Sequence, residues 1–190
     1  ILMTLQNEII KSNKLHKSIL GLEKKINASI KIIVERIISG GKVFLCGNGG
    51  SAADAQHLAA EFLVRLKPNN NRRPIPAISL ALDTSTITAC SNDYNFEDIF
   101  SRNLEALGNK KDVIIGITTS GNSKNVIKAF KYANKNKIFT IGFLGNNGGK
   151  IKKHCDIDLI IKSKDTARVQ ECHIFLGHYI FQEVEKKLTK

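Results

Sequence analysis

The 190-residue sequence has no apolar run approaching the ~20 residues that span a bilayer, so no transmembrane helix is expected. The start, Ile1-Leu2-Met3-Thr4, opens no long apolar stretch and leads to no small-residue cleavage site. A cytoplasmic location is expected, with Met3 as the natural first residue. The four cysteines, Cys46, Cys90, Cys155 and Cys172, include no C-x-x-C pair. They read as reduced thiols in or near a core, not as a disulfide framework. Hairpin turn signals, internal repeats and low-complexity linkers are also missing. Acidic residues are the scarcer charge, 17 against 29 basic ones, for a net +12. Such a balance invites anionic partners. Yet Lys11, Lys14, Lys17, Lys24, Lys25 and Lys31, and later Lys124, Lys128, Lys131, Lys135 and Lys137, fall at helix-like spacing without interleaved aromatics. They read as solvated helix faces, and nucleic acid is not an expected partner.

Hydrophobic residues make up 42% of the chain and charged ones 24%, which suits one globular domain over residues 1–190. In the first forty residues Ile9, Ile10, Leu15, Ile19, Leu22, Ile26, Ile30, Ile33, Val34 and Ile37 recur near a 3.6 period until Gly40-Gly41 stops them. A long N-terminal helical segment is expected, with no sheet partner of its own, and so a contact with another subunit. Strand and helix signals then alternate. Strands are expected at 43–46, 77–82, 113–118, 138–143 and 157–161. Helices are expected at 52–66, 84–91, 96–107, 123–134 (Ser123 as N-cap) and 167–188, with a polar, Pro-bounded loop over 68–76. Short apolar runs separated by helices imply a parallel sheet covered on both faces. The fold class is α/β: a three-layer, doubly wound, flavodoxin-like domain with five parallel strands. Ligands of such sheets bind beyond the carboxyl ends of the strands.

Two loops at those ends carry chemistry. Gly47-Asn48-Gly49-Gly50-Ser51 follows the first strand, and Thr118-Thr119-Ser120-Gly121-Asn122-Ser123 follows the third. Glycines let backbone approach a ligand, and a helix N-terminus supplies free N–H groups and a positive dipole end. Hydroxyls of Ser51, Thr118, Thr119, Ser120 and Ser123 can donate to phosphate oxygens. Gly47-x-Gly49-x-x-Ala52 also fits a dinucleotide fingerprint loosely. No acidic residue ends a second strand ~20 residues on, so a phosphate monoester is the better ligand.

Cys46-Gly-Asn-Gly-Gly-Ser51, Gln56-His57-x-x-x-Glu61, Asn92-Asp93-Tyr94, Phe100-Ser101-Arg102, Thr119-Ser-Gly-Asn-Ser123 and Arg168-Val-Gln170-Glu171 together resemble the SIS (sugar isomerase) family. Within it they are most similar to the phosphoheptose (sedoheptulose 7-phosphate) isomerases. The similarity runs from about residue 5 to the C-terminus. Thr118 stands where that family often has Ser, and Ala167 where some members have Asp.

An aldose–ketose isomerase needs a base for a carbon-bound proton and a partner for the oxygens. His57 and Glu61, at i and i+4, share a helix face. Gln170 and His178 lie about 12 Å apart along the last helix, so they either lean into one site or do separate jobs. His173 on that helix is a less suitable candidate, and His16 and His154 have no supporting context. The resemblance implies that His57, Glu61, Gln170 and His178 surround a zinc ion, with Glu61 as base and His178 as acid/base partner. It places the sugar at Asn48, Ser51, Asp93, Thr119 and Gln170, and the phosphate at Ser51, Thr118, Ser120 and Ser123. It implies a homotetramer acting on a sugar phosphate, sedoheptulose 7-phosphate, to make D-glycero-D-manno-heptose 7-phosphate for lipopolysaccharide or capsule. The alternatives are a non-enzymatic SIS protein that binds the replication initiator DnaA, and a sugar-phosphate-sensing regulator. The first lacks the glutamate and the last-helix histidine; the second carries a DNA-binding segment that has no counterpart here.

Overall fold

The computed structural model describes residues 4–189; the expected start at Met3 lies outside them. Five strands form one parallel sheet: β1 Val43–Gly47, β2 Ala77–Ser79, β3 Val113–Thr118, β4 Phe139–Gly145 and β5 Ile157–Ile161. The order is β2-β1-β3-β4-β5, so the doubly wound reading holds. β1 pairs with β2 on one side and β3 on the other, with Leu45 opposite both Ser79 and Ile115.

The pleat sorts the strand residues into two cores. Val43, Leu45, Ile115, Ile117, Ile141 and Phe143 face one way, against α2 Glu23–Ile38, α3 Gly50–Leu63 and α7 Thr166–Leu188. Phe44, Cys46, Ile114 and Leu144 face the other, against α4 Thr84–Asp93, α5 Ile99–Leu107 and α6 Lys124–Lys135. Apolar runs without alternation, such as Val113–Ile117, are what a sheet buried on both faces requires. Gly116 and Gly142 open space where a methyl would collide with Phe130 and the Cys155 sulfur.

The N-terminal helical segment comes in two pieces. α1 Leu5–Ser18 and α2 are joined by a 3₁₀ turn over Ile19–Leu22, which contains Gly21, a weak helix former. The two pieces also differ in burial. Ile26, Ile30 and Ile33 of α2 lie in the core, so α2 does have a place on the sheet, contrary to expectation. No residue of α1 is buried, and Ile9 and Ile10 are about half exposed. β2 is shorter than expected. The chain turns after Ser79 so that the Asp83 carboxylate can accept the N–H groups of Ser85 and Thr86 at the start of α4. No helix among the described residues is long and apolar enough to cross a membrane.

The cysteines are unpaired, and burial pushes the Cys172 thiol up to about 11 and that of Cys155 to about 12. His173 is fully enclosed on α7, its ring 6.1 Å from that of Phe143, and burial depresses its pKa to about 4. The folded state therefore holds His173 neutral while an unfolded chain binds a proton below about 6.5. Stability should fall with pH through the window from about 6.5 to about 4. His173→Leu should remove about 2 kcal/mol of the stability difference between pH 7.5 and pH 5, read from urea midpoints at both pH values.

Candidate active site

β1 and β3 are neighbours whose following helices cover opposite faces of the sheet, so their carboxyl ends flank the crevice of the fold. After β1, Gly49 takes φ +56°, a conformation side chains resist, and its carbonyl receives the N–H groups of Ala52 and Ala53 to begin α3. After β3, Gly121 takes φ +65°, and a Cβ there would strike the Gly148 carbonyl of the next loop. This turn gathers three hydroxyls. Thr118 Oγ1 accepts from the Gly121 N–H at 3.2 Å and lies 3.0 Å from Ser123 Oγ and 3.4 Å from Ser120 Oγ. Ser123 holds the N-cap position of α6, but its hydroxyl turns to Thr118 and not to the helix N–H groups.

The loop after β1 is clasped to the first turn of α6 by reciprocal amide hydrogen bonds between Asn48 and Asn125, at 2.8 and 2.9 Å. Asn125, absent from the sequence-based candidates, is 2% exposed and also accepts the Val126 N–H. It shares the buried face of α6 with Ala129 and Ala133, and an amide on an apolar helix face was the available signal. Ser51 is buried at the start of α3, and Thr119 is half-buried. Asp93 is exposed at the end of α4, where its carboxylate accepts from the Asn92 side chain, apart from the other candidates.

A second group stands along α3 and α7. His57 Nε2 lies 2.8 Å from His178 Nε2 and 3.4 Å from Glu61 Oε1. The three side chains offer ligand atoms within 4.8 Å of one another. The helices run parallel and in register: Gly50 meets Gln170, Leu58 meets Gly177, and Phe62 stacks on Phe181 with centroids 3.7 Å apart. Gly177 makes the approach possible, since a Cβ there would come 2.4 Å from the Leu58 side chain. Gln170 packs its amide against Gly50, at the loop end of α3, two turns before His178. Three of the four expected ligand residues thus meet at one point, and the fourth sits against Gly50 at the start of α3.

Two imidazoles and a carboxylate, without sulfur, are a donor set that suits Zn²⁺. Burial lowers the His178 pKa, as does the neighbouring His57, while Glu61 opposes them; the neutral form that ligates or accepts a proton is favoured. One turn before His57, Asp54 was also not anticipated. Its Oδ2 is buried without a hydrogen-bond partner; burial raises its pKa, and His57 opposes the rise.

Residues 11–145 match the family model described as SIS domain. The chain is 50% identical to a phosphoheptose isomerase of Clostridium acetobutylicum over 87% of this chain and 83% of that one. It is 45% identical to one of Leptospira biflexa over 97% and 95% of the two chains. The solved phosphoheptose isomerase of Neisseria gonorrhoeae superposes with TM-score 0.88 at 37% identity, covering 96% of this chain and all of that one. The chain belongs to the phosphoheptose isomerase family of SIS-domain proteins.

Thr118 uses its hydroxyl in the turn, accepting the Gly121 N–H. Ala167 supplies no carboxylate; the nearest, Asp165, caps α7 by accepting the Arg168 N–H. The close α3–α7 approach gives a direct test of the geometry expected of a phosphoheptose isomerase. Gly177→Ala should force the helices apart, destabilising the fold by about 1–3 kcal/mol as overpacked cores do. Its isomerase turnover should fall further than the loss of folded protein measured by circular dichroism on the same samples.

Proposed function

We propose that this chain isomerises sedoheptulose 7-phosphate to D-glycero-D-manno-heptose 7-phosphate through an enediol, with Glu61 as the base. The observation that carries this reading is the meeting of His57, Glu61 and His178 on two parallel helices, one of which starts at the loop clasped to α6, the helix that the hydroxyl cluster precedes. In this reading Ser51, Thr118, Ser120 and Ser123 hold the phosphate with neutral donors, the positive end of α6 supplying the compensating field. Asn48, Asp93, Thr119 and Gln170 orient the sugar hydroxyls. Anchoring the phosphate at C7 fixes C1 and C2 beside the catalytic pair, replacing a search by a held geometry.

Glu61 takes a proton from C1 of the ketose and returns it to C2, while His178 exchanges a proton with the O1/O2 pair. Both groups are partly screened from water, at 18% side-chain exposure for Glu61, which strengthens their interactions with the substrate. His57, Glu61 and His178 are the residues that would hold Zn²⁺, while Gln170, expected as a fourth ligand, packs against Gly50. When bound, the ion supplies Lewis-acid stabilisation of the developing oxyanion.

The assembly in this reading is a cytoplasmic homotetramer whose product enters nucleotide-activated heptose synthesis for lipopolysaccharide or capsule. The exposed stripe of α1 supports the oligomer, as Leu5, Ile9 and Ile10 find no burial within one chain. Light scattering of the purified chain should return four times the monomer mass, and a monomer would reject the assembly.

The function is tested by assaying the purified, zinc-containing chain with sedoheptulose 7-phosphate. Glu61→Gln and His178→Ala should each lower kcat by about 10²–10⁴-fold, the span of a lost acid–base group. Turnover retained in both would remove the mechanism.

A further inference from the structure

The reaction as proposed uses the middle of the α3–α7 contact and leaves its far end unexplained. There the loop between α3 and β2 sends in Arg72, which with Glu185 of α7 is enclosed to 3% side-chain exposure. The guanidinium faces three acceptors on the two helices and a fourth on its own loop. Its Nε donates to Glu185 Oε2 at 2.8 Å, Nη2 to the carbonyl of Glu61 at 2.8 Å, and Nη1 to the carbonyls of Phe62 at 2.9 Å and Arg73 at 3.1 Å. Asn70 of the same loop donates to the other oxygen of Glu185 at 2.5 Å.

Those carbonyls belong to the last turn of α3, where the helix has no further N–H groups to offer them. Val64 N–H still reaches Ala60, but the Glu61 and Phe62 carbonyls find their partners outside the helix, Phe62 also accepting the Ile75 N–H at 3.0 Å. A cation at a helix C-terminus is favoured by the dipole as well as by the hydrogen bonds. What is unusual is the residue served. The Glu61 whose carbonyl Arg72 holds is the Glu61 whose carboxylate stands beside His57. Glu185 lies seven residues after His178, two turns along the same face of α7.

Elsewhere along the two helices His57 meets His178 and the Gln170 amide packs on Gly50, while the contacts that set the spacing are apolar. The Phe62–Phe181 stack and the Leu58–Gly177 approach set how far apart the helices lie. Apolar burial has no directional term to stop one helix sliding along the other. A planar fork with three acceptors does, because hydrogen bonds weaken steeply with misalignment.

We propose that Arg72 is a positioning residue for the catalytic pair: by joining the Glu61 backbone to Glu185 it fixes the axial register that sets Glu61 beside His178. The proposal rests on the reading of Glu61 as the base. A displacement of about 1 Å at a reacting group costs about 10²-fold in rate, so a small slip would be felt in turnover before it is felt in folding.

The test compares wild type with Arg72→Lys, whose single ammonium cannot reach three acceptors, and with the milder Glu185→Gln, which keeps an acceptor for Nε but loses the charge. Full-length, zinc-containing proteins are assayed with sedoheptulose 7-phosphate and with the same substrate deuterated at C1. We expect kcat to fall about 10–100-fold in Arg72→Lys and less in Glu185→Gln, with KM within about twofold of wild type. The primary isotope effect on kcat should rise in both, because a misplaced base slows proton transfer itself. The isotope effect does not depend on how much of the sample is folded, so a merely structural Arg72 would leave it unchanged. An unchanged isotope effect, with kcat falling only in proportion to folded protein, would overturn the proposal. Glu61→Gln run in parallel separates the two ideas. Full activity there removes the base assignment; an inactive Glu61→Gln beside an Arg72→Lys with wild-type kcat and isotope effect removes the positioning role alone.

Discussion

The in-register, parallel packing of α3 against α7 is the constraint on which the candidate site depends. The two helices lie about 120 positions apart in the chain, yet Gly50, Leu58 and Phe62 each meet the residue that far ahead: Gln170, Gly177 and Phe181. Equal pitch on both helices keeps that pairing along three turns. His57 and Glu61, one turn apart, therefore present side chains to a single His178. Glycine at 177 leaves room for the Leu58 side chain where the two helices lie close.

The sheet supplies the second requirement of the proposed reading, a cluster of hydroxyls in the loop after β3. β1 and β3 exchange a full ladder from Val43 to Gly47, so the loops that follow them are held side by side. The Asn48–Asn125 clasp then ties the loop after β1 to the start of α6, and the loop after β4 backs the loop after β3 through the Ile151 N–H to the Gly121 carbonyl. The cluster is built from the hydroxyls of Thr118, Ser120 and Ser123 rather than from lysines. The large positive charge of the chain is spread over the outer faces of helices, where many lysines sit in solvent or in exposed ion pairs such as Lys124–Glu97. Exposed pairs of that kind add little to stability.

Much of this order is local and was therefore legible. β3 and β5 fall where the apolar runs put them, because a strand buried on both faces has no other place for Val113–Ile117 or Ile157–Ile161. The loops after β1 and β3 could be picked out because glycine and hydroxyl residues cluster there at strand–helix junctions. What stayed hidden was pairwise. Asn125 looked like one more polar helix residue until its partner Asn48 was placed 77 positions away. The break at Ile19–Leu22 was invisible in a periodicity that continues through it, and only packing shows α2 inside and α1 outside. Arg72 lay in a stretch that reads as an ordinary polar loop, and its role appears only when Glu185 arrives from the far end of the chain.

By itself the sequence determined the alternation of strands and helices, the doubly buried sheet, and the residue types available for holding a phosphate and moving a proton. These follow from hydrophobic period, turn chemistry and side-chain inventory, which act over a few residues. The tertiary structure decided which of those residues meet. It brought His178 to His57 and Glu61, left Gln170 against Gly50, kept Asp93 on an exposed helix end, and buried His173 in the core. The physical reason is that convergence depends on the register and separation of elements far apart in the chain. Those are set by close packing and by a few buried polar clasps, and neither leaves a local pattern along the sequence.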